Sequence, residues 1–298
     1  MPNILSFDVE DWQQSTLNFD LPVTRRVVDN TERILALCDE GGVKGTFFVL
    51  GLVAEAFPSL VRRIRDSGHE VASHGYDHRP VHAMTPAAFR DDLRRARTAI
   101  EQAAGTAVVG YRAPDFSILR NSLWALVILA EERYGYDSSL FPFSGPRYGL
   151  AEAFEAPGRI HTSAGDLVEF PLATTEWLGR RLPAAGGGYF RLFPYAWHRA
   201  AIVRLNRTGS PATTYFHPYE IDSDEIRFSP HRIPLTLRFS QGLLRSKVKS
   251  KLRRLLKDFS WGPARDLLGG GPALTGGRIL DLTPLPGGGP QWRTERTS

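Results

Sequence analysis

Through its first half the chain alternates short apolar runs with helical patterns. That alternation constrains the fold more than any other feature. Residues 4–8 read as a strand. Val27, Thr31, Ile34, Leu35 and Cys38 then recur at helical spacing until Gly41-Gly42 stops them. Residues 46–50 form a buried-strand run, 60–67 are helical, and 69–73 are extended again. Thr85-Pro86 opens the next helix, with Thr as cap and Pro in the first turn, and Phe89, Leu93, Ala96 and Ile100 form its buried stripe. A strand at 108–111 and a helix at 122–132 follow. The pattern predicts an α/β protein with a mainly parallel sheet and helices outside it.

Polar side chains gather at the C-terminal ends of these runs, where α/β sheets and barrels build their sites. Asp8, Glu10 and Asp11 end the first, His74 and His78 the third, and Arg112 the fourth. His74 and His78 are four residues apart. On a helical turn that spacing brings both rings toward one metal ion. Two histidines with a carboxylate and an open position suit Zn²⁺ or a similar divalent ion in hydrolysis. Strand alternation puts Asp8 and Glu10 on one face and turns Asp11 away unless the strand has already ended. One carboxylate can bind metal while another stays free as a general base. Taken singly these signals are weak, because loop histidines and acidic strand ends are also common as solvated surface.

Composition removes several classes. One cysteine excludes an intrachain disulfide framework and any multi-cysteine metal site, and Cys38 on its helical stripe reads as a small core residue. No stretch approaches the roughly 18 apolar residues of a membrane helix, and no signal peptide is read at the start. A cytoplasmic protein is the expectation. The net charge of +5 comes from one segment. Arg245, Lys247, Lys249, Lys251, Arg253, Arg254 and Lys257 follow one another with no acid between them. Leu244, Val248, Leu252, Leu255 and Phe259 line one face of the same helix, 243–259. A packed helix with a solvated cationic face is one reading, and peripheral contact with an anionic membrane is another. Nucleic-acid binding has no motif to support it.

Asp8 with Glu10, then His74-x-x-x-His78, Arg112-Ala113-Pro114, Tyr136-Asp137-Ser138-Ser139 and Tyr215-Phe216-His217 stand in order. Together these motifs resemble those of the polysaccharide deacetylase family, the NodB-homology or carbohydrate esterase family 4 group, over residues 3–220. Three further stretches, Glu169-Phe170-Pro171, Gly187-Gly188-Tyr189-Phe190-Arg191 and His217-Pro218-Tyr219-Glu220-Ile221-Asp222, resemble a narrower branch. That branch is the exosortase-system exopolysaccharide deacetylases with a C-terminal extension.

The resemblance implies a distorted (β/α) barrel that removes acetyl groups from N-acetylhexosamine residues with one divalent metal, Zn²⁺ before Co²⁺ or Ni²⁺. By position, Asp8 would be the base, His74 and His78 metal ligands, and His217 the acid. Arg112 would orient the base, and Asp137 would support His217 or its surroundings. The usual adjacent Asp-Asp pair is here spread over Asp8-Val9-Glu10-Asp11. Strand parity favours Glu10 as the carboxylate ligand, with Asp11 as the alternative. Asp115 stands after Pro114 where the family often has an aromatic residue. Its backbone N–H would line the oxyanion hole, and its side chain is expected to turn away.

Around the site, Trp12, Pro114, Asp115, Tyr189 and Phe190 are candidate substrate contacts, although the aromatics serve equally well as core. Asp77 could orient a ligand histidine or be a solvated loop acid. His217 ends a strand read at 213–217, where it could face the metal; a capping or core histidine is the plain alternative. The Gly-rich run 184–190 reads as a loop. The chain divides into a catalytic domain over 1–222, a helical extension over 223–268 and a mostly disordered, flexible tail over 269–298, which is rich in Gly and Pro. The expected partner is an N-acetylated oligo- or polysaccharide, or a lipid-linked precursor at the inner membrane face. Rival readings are a hydrolase of another amide, such as a cyclic amide or peptidoglycan, and a carbohydrate-binding module without activity.

Overall fold

The computed structural model describes residues 2–145, 148–269, 278–283 and 291–294. The first half runs β1 (Asn3–Val9), α1 (Arg26–Gly41), β2 (Thr46–Val49), α2 (Gly51–Ala56), α3 (Pro58–Asp66), β3 (Glu70–Ser73), α4 (Pro86–Ala104), β4 (Gly110–Tyr111), α5 (Trp124–Glu131) and β5 (Tyr136–Asp137). The expected alternation is therefore present. Gly42 ends α1 in the left-handed region, at φ +64°. Thr85 Oγ1 caps α4 by accepting the Ala88 N–H at 3.2 Å. Cys38 is buried, and burial first, then Asp39, pushes its thiol up to about 12.

The second half adds β6 (Gly158–Thr162), β7 (Gly165–Glu169), the hairpin β8 (Thr174–Trp177) and β9 (Arg180–Pro183), α6 (Gly187–Leu192), α7 (Tyr195–Arg207) and β10 (Thr213–Phe216). It closes with α8 (Asp224–Arg227), α9 (Leu235–Gly242), α10 (Arg245–Asp258), β11 (Trp261–Gly262), β12 (Arg278–Asp281) and β13 (Gln291–Thr294). The main sheet has the order β10-β1-β2-β3-β4-β5-β7-β6-β12-β13, with β11 also on β1. Its pairs are parallel except β6–β7 and β12–β13. No ladder joins β7 to β10 among the described residues. The isolated bridges Leu172↔Thr213 and Gly186↔Tyr215 cross that seam instead. The result is an α/β fold with a mixed, incompletely closed central sheet and a helical extension.

The sheet buries both faces, as a parallel sheet wrapped by helices must. Leu5, Phe7 and Val9 pack outward with Phe47, Val49 and Val71 under the helices. The alternate residues point inward, where Ile4, Phe48, Ala72, Tyr136 and Phe170 fill the inner space. Ser6 and Asp8 share the parity of Ile4, so they stand on that inner face.

Two expectations need correction. Residues 184–190 are not all loop, because α6 begins at Gly187. Gly186 and Gly187 let it press on β10: a Cβ at Gly186 would meet the Tyr215 carbonyl, and one at Gly187 the Tyr215 hydroxyl. The stretch 269–298, expected to be mostly disordered, also holds two short strands. β12 pairs β6, and β13 pairs β12. The Gly/Pro composition hid two four-residue strands that the free edge of β6 can template. The rest of that stretch lies outside the described residues.

The basic helix α10 packs by Val248, Leu252, Leu255 and Leu256, and several of its cations are spent internally. Arg245 is fully buried and donates to the Gln241, Tyr219 and Asp222 carbonyls at 2.7, 2.9 and 3.2 Å. Lys251 Nζ donates to the Phe190, Arg191 and Phe193 carbonyls at 3.0, 3.1 and 2.8 Å, capping the end of α6. Arg253 pairs with Glu40 at 2.8 Å. Lys247, Lys249 and Lys257 remain exposed.

One buried histidine ties stability to pH. His69 Nδ1 accepts the Gly45 N–H at 3.1 Å, so its proton sits on Nε2. Burial first, then Lys44, lowers its pKa to about 4 from 6.5. Between those values the unfolded chain binds more protons at this residue than the folded one. Its stabilisation is thus full above pH 6.5 and declines as pH falls toward about 4. Urea melts at pH 7 and pH 5 should differ less for His69→Gln than for the parent. An equal difference in both would show that His69 contributes nothing to the slope.

Candidate metal and hydrolytic site

The C-terminal ends of β1, β3, β4 and β10 deliver one side-chain set each to the inner face. Glu10, His74 and His78 place a ligand atom apiece within 4.8 Å of one another, all three buried. His74 Nδ1 lies 2.9 Å from the Arg112 carbonyl oxygen, which can only accept. Nδ1 therefore carries the hydrogen, and Nε2 keeps its lone pair toward Glu10 Oε2 at 3.9 Å. His78 Nε2 abuts the same oxygen. Glu10 Oε2 and His78 Nδ1 are buried without a hydrogen-bond partner. A divalent cation fits this donor set: two imidazoles and a carboxylate, with a buried oxygen that no donor satisfies. Glu10, His74 and His78 form a divalent metal-binding site. Burial pushes the Glu10 carboxyl up, but His78, His217 and His74 outweigh it and hold it down to about 2.

The histidines converge by a route the sequence did not suggest. Residues 74–78 are a loop after β3, not a helical turn. Gly75 at φ +76° and His78 at φ +70° fold it back, leaving the two rings 5.4 Å apart. Asp77 does not orient either ring; it pairs with Arg79 at 2.8 Å, and its carbonyl accepts from Gln14 at 2.8 Å.

The two candidate carboxylate ligands separate cleanly. Asp11 accepts the backbone N–H groups of Gln13 and Gln14 at 2.9 and 3.4 Å and that of Thr24 at 2.7 Å. It is a turn-capping acid whose oxygens are taken by backbone N–H groups; β1 ends at Val9, so strand parity does not reach it. Asp8 is held by Arg112, whose Nη1 donates to Asp8 Oδ1 at 2.8 Å and accepts nothing in return. Arg112 also donates to Ser6 Oγ, the Ser138 carbonyl and Ser138 Oγ at 2.7, 3.0 and 2.8 Å, above the Phe48 ring at 4.1 Å.

Facing this wall is His217. Its Nε2 is 4.0 Å from Asp8 Oδ2 and 3.4 Å from Glu10 Oε1. Its partner is Glu220, with Nδ1 3.5 Å from Glu220 Oε2 and the His217 N–H on the same oxygen at 3.2 Å; Asp137, expected to support His217 or its surroundings, does not pair with it. Burial pulls the His217 pKa down, but Glu220, Glu10 and Asp8 outweigh it and raise it to about 9. Arg191 holds Glu220 from behind at 3.5 Å, and the Tyr219 ring stacks on His217 at 4.8 Å. Arg191 and Glu220 lie in motifs visible in the sequence, but nothing there paired them. Asp137 instead accepts from Ser139, whose hydroxyl accepts the Ala113 N–H at 2.8 Å, so it braces the Arg112 loop. Burial raises the pKa of Asp137, and burial with Asp137 raises that of Glu169 beside it, so this pair holds a proton.

These residues surround a cavity of about 360 Å³. Tyr189 and Asp115 line it; Trp12, Pro114 and Phe190 do not. Trp12 is buried against Tyr219 and Ile226, with Arg245 over its ring at 5.6 Å. Phe190 packs on Phe216 and His198 at 4.9 and 4.8 Å, and Pro114 is buried beneath the loop. Asp115 lines the cavity, and its backbone stands at φ +54°.

The fold and the three-ligand cluster define a divalent-metal site at the strand ends of an α/β sheet. Residues 11–132 match the polysaccharide deacetylase family model. Residues 138–269 match a domain of unknown function, DUF3473. Peptidoglycan deacetylase-like protein FGM2 of Gibberella zeae is 30% identical over 148 residues, 49% of this chain and 40% of that protein. Peptidoglycan-N-acetylglucosamine deacetylase of Bacillus cereus is 35% identical over 96 residues, 32% of this chain and 35% of that one. The chain spans less than half the length of these relatives. A Mycobacterium smegmatis structure assigned to the polysaccharide deacetylases superposes with a TM-score of 0.61 at 21% identity, over 90% of each chain. Puue allantoinase does so at 0.58 and 14%, over 89% of this chain and 88% of that one. Both likenesses are of fold.

Metal analysis of purified variants tests the ligand set. His74→Ala and His78→Ala should lose nearly all bound Zn²⁺. Asp11→Asn should keep it and lose about 1 kcal/mol of stability through its turn. Full metal in both histidine variants, or its loss in Asp11→Asn, would contradict the assignment.

Proposed function

We propose that the chain is a metal-dependent deacetylase that hydrolyses the N-acetyl amide of N-acetylhexosamine residues in a polysaccharide. One observation carries this: Asp8 and His217 both stand beside the Glu10–His74–His78 cluster, with His217 Nε2 4.0 Å from Asp8 Oδ2, so a base and an acid are available at one site. A divalent metal held by those three residues, when bound, would polarise the acyl oxygen and acidify water. Asp8 Oδ2 accepts the proton of the attacking water, since Oδ1 is occupied by Arg112. His217 Nε2 gives a proton to the departing amine, and Glu220 keeps that proton available from the far side of the ring. A pure binding module has no use for both groups. The narrower substrate, an exopolysaccharide or its lipid-linked precursor, rests on the resemblance of the 169–171, 187–191 and 217–222 stretches.

The cavity volume favours a second reading, because about 360 Å³ lies at the small end for ligand pockets and would suit a cyclic amide. Acetate release from N-acetylglucosamine oligomers, with and without added Zn²⁺, Co²⁺ or Ni²⁺, decides between them. The deacetylase reading expects metal-dependent acetate. Ring opening of a cyclic amide without acetate from any saccharide would replace it. Asp8→Asn should reduce turnover by about 10²–10⁴-fold. His217→Ala should lose more activity on the amide than on an acetate ester, because an alkoxide leaves with less proton assistance than an amine. Equal loss would remove His217 from the acid role.

For a lipid-linked precursor, we propose contact with anionic membrane through the exposed Lys247, Lys249 and Lys257 of α10. Vesicles containing anionic lipid should retain the parent and release the triple Lys→Gln variant. Equal retention would leave α10 a packing element only.

A further inference from the structure

Tyr189, Phe193 and Trp197 are spaced four residues apart from α6 into α7, with ring centroids separated by 6.0 and 5.4 Å. Trp177, at the end of β8, continues the row 5.7 Å beyond Trp197. Its first member lines the cavity, and its last is 58% exposed. Neither the metal site nor the acid–base pair uses these rings. Leu178, at the hairpin turn beside Trp177, is 89% exposed, so the tip is not core packing.

The row is also held in place. Leu178 and Gly179 turn at φ +49° and +73°, the two left-handed residues of a tight hairpin. Arg181 ties the hairpin to the Pro142 and Ala151 carbonyls at 3.3 and 2.8 Å. Trp197 Nε1 donates to the Pro183 carbonyl at 3.2 Å, which fixes its ring against the same hairpin. Rings positioned before binding lose little freedom when a ligand meets them.

We propose that Tyr189, Phe193, Trp197 and Trp177 form an extended saccharide track, which takes the sugar rings adjoining the residue that is deacetylated. Pyranose rings present an apolar face of C–H groups, and aromatic faces carry the complementary negative potential. The steps along the row match the size of one sugar ring, and the row is continuous with the cavity through Tyr189. The saccharide class rests on the deacetylase reading. The track makes the substrate a chain, although the cavity itself accommodates little more than one ring.

Binding in the absence of turnover tests it. With the full chain carrying Asp8→Asn, calorimetry would measure affinity for N-acetylglucosamine and its oligomers up to the hexamer. Affinity should rise with length. Adding Trp177→Ala should weaken hexamer binding by about five-fold, the size of one aromatic contact, and leave the monomer unchanged. Trp177→Phe should restore most of the loss. On the active chain, Trp177→Ala should raise KM for the hexamer and leave kcat. Affinity independent of length, absent binding, or equal weakening for monomer and hexamer overturns the track. Retention of the tip by uncharged lipid vesicles, with no length dependence for saccharide, would make it a membrane contact instead. Length-dependent binding without acetate release from the active chain would sink the deacetylase reading and keep the track. Acetate release without length dependence would do the reverse.

Discussion

The buried pair between Arg112 and Asp8 is the constraint on which the site depends. Neither side chain reaches solvent appreciably, and the pair joins β4 to β1 at 2.8 Å. Burying a guanidinium is costly unless its donors are satisfied, and here Ser6, Ser138 and Asp8 take them. Removing one partner of such a pair costs about 3–5 kcal/mol, because the other is left charged and alone. The same residue also fixes His74 through its backbone carbonyl. One position just after β4 thus sets the orientation of the proposed base and the tautomer of a metal ligand.

The opposite wall comes from the second half of the chain. His217 follows β10, Glu220 lies on the turn after it, and Arg191 reaches Glu220 from α6. Arg245 anchors that turn through the Tyr219 and Asp222 carbonyls. The segment matching the domain of unknown function is therefore part of the site. It supplies His217, the proposed acid, with its partner Glu220, part of the cavity wall and the hairpin that carries Trp177.

Much of the framework could be read from periodicity. The strands of the first half and the helices α1, α4 and α10 are amphipathic or uniformly buried, and a stripe of apolar residues marks each. Parity correctly favoured Glu10 over Asp11, but β1 ends at Val9, and it is the backbone N–H groups of Gln13, Gln14 and Thr24 that occupy Asp11. What escaped the sequence depends on tertiary partners. Trp12 and Phe190 look alike as exposed platforms or core rings until Arg245, Tyr219 and Phe216 are in place beside them. The Glu220–Arg191 contact joins residues from two separate motifs, and no spacing rule connects those. α6 was hidden by its glycines, which are required by the close approach of β10 and carry no helical signal. The strands β12 and β13 were hidden by the Gly- and Pro-rich residues around them.

The central claim is that the two carboxylates at the end of β1 divide the work, Glu10 going to the metal and Asp8 to the proton. Zinc stoichiometry of Asp8→Asn and Glu10→Gln, measured side by side on folded protein, tests it most directly. The account predicts that Asp8→Asn retains about one equivalent and that Glu10→Gln loses most of it. An empty site in Asp8→Asn with a full one in Glu10→Gln would reverse the two roles and contradict the account.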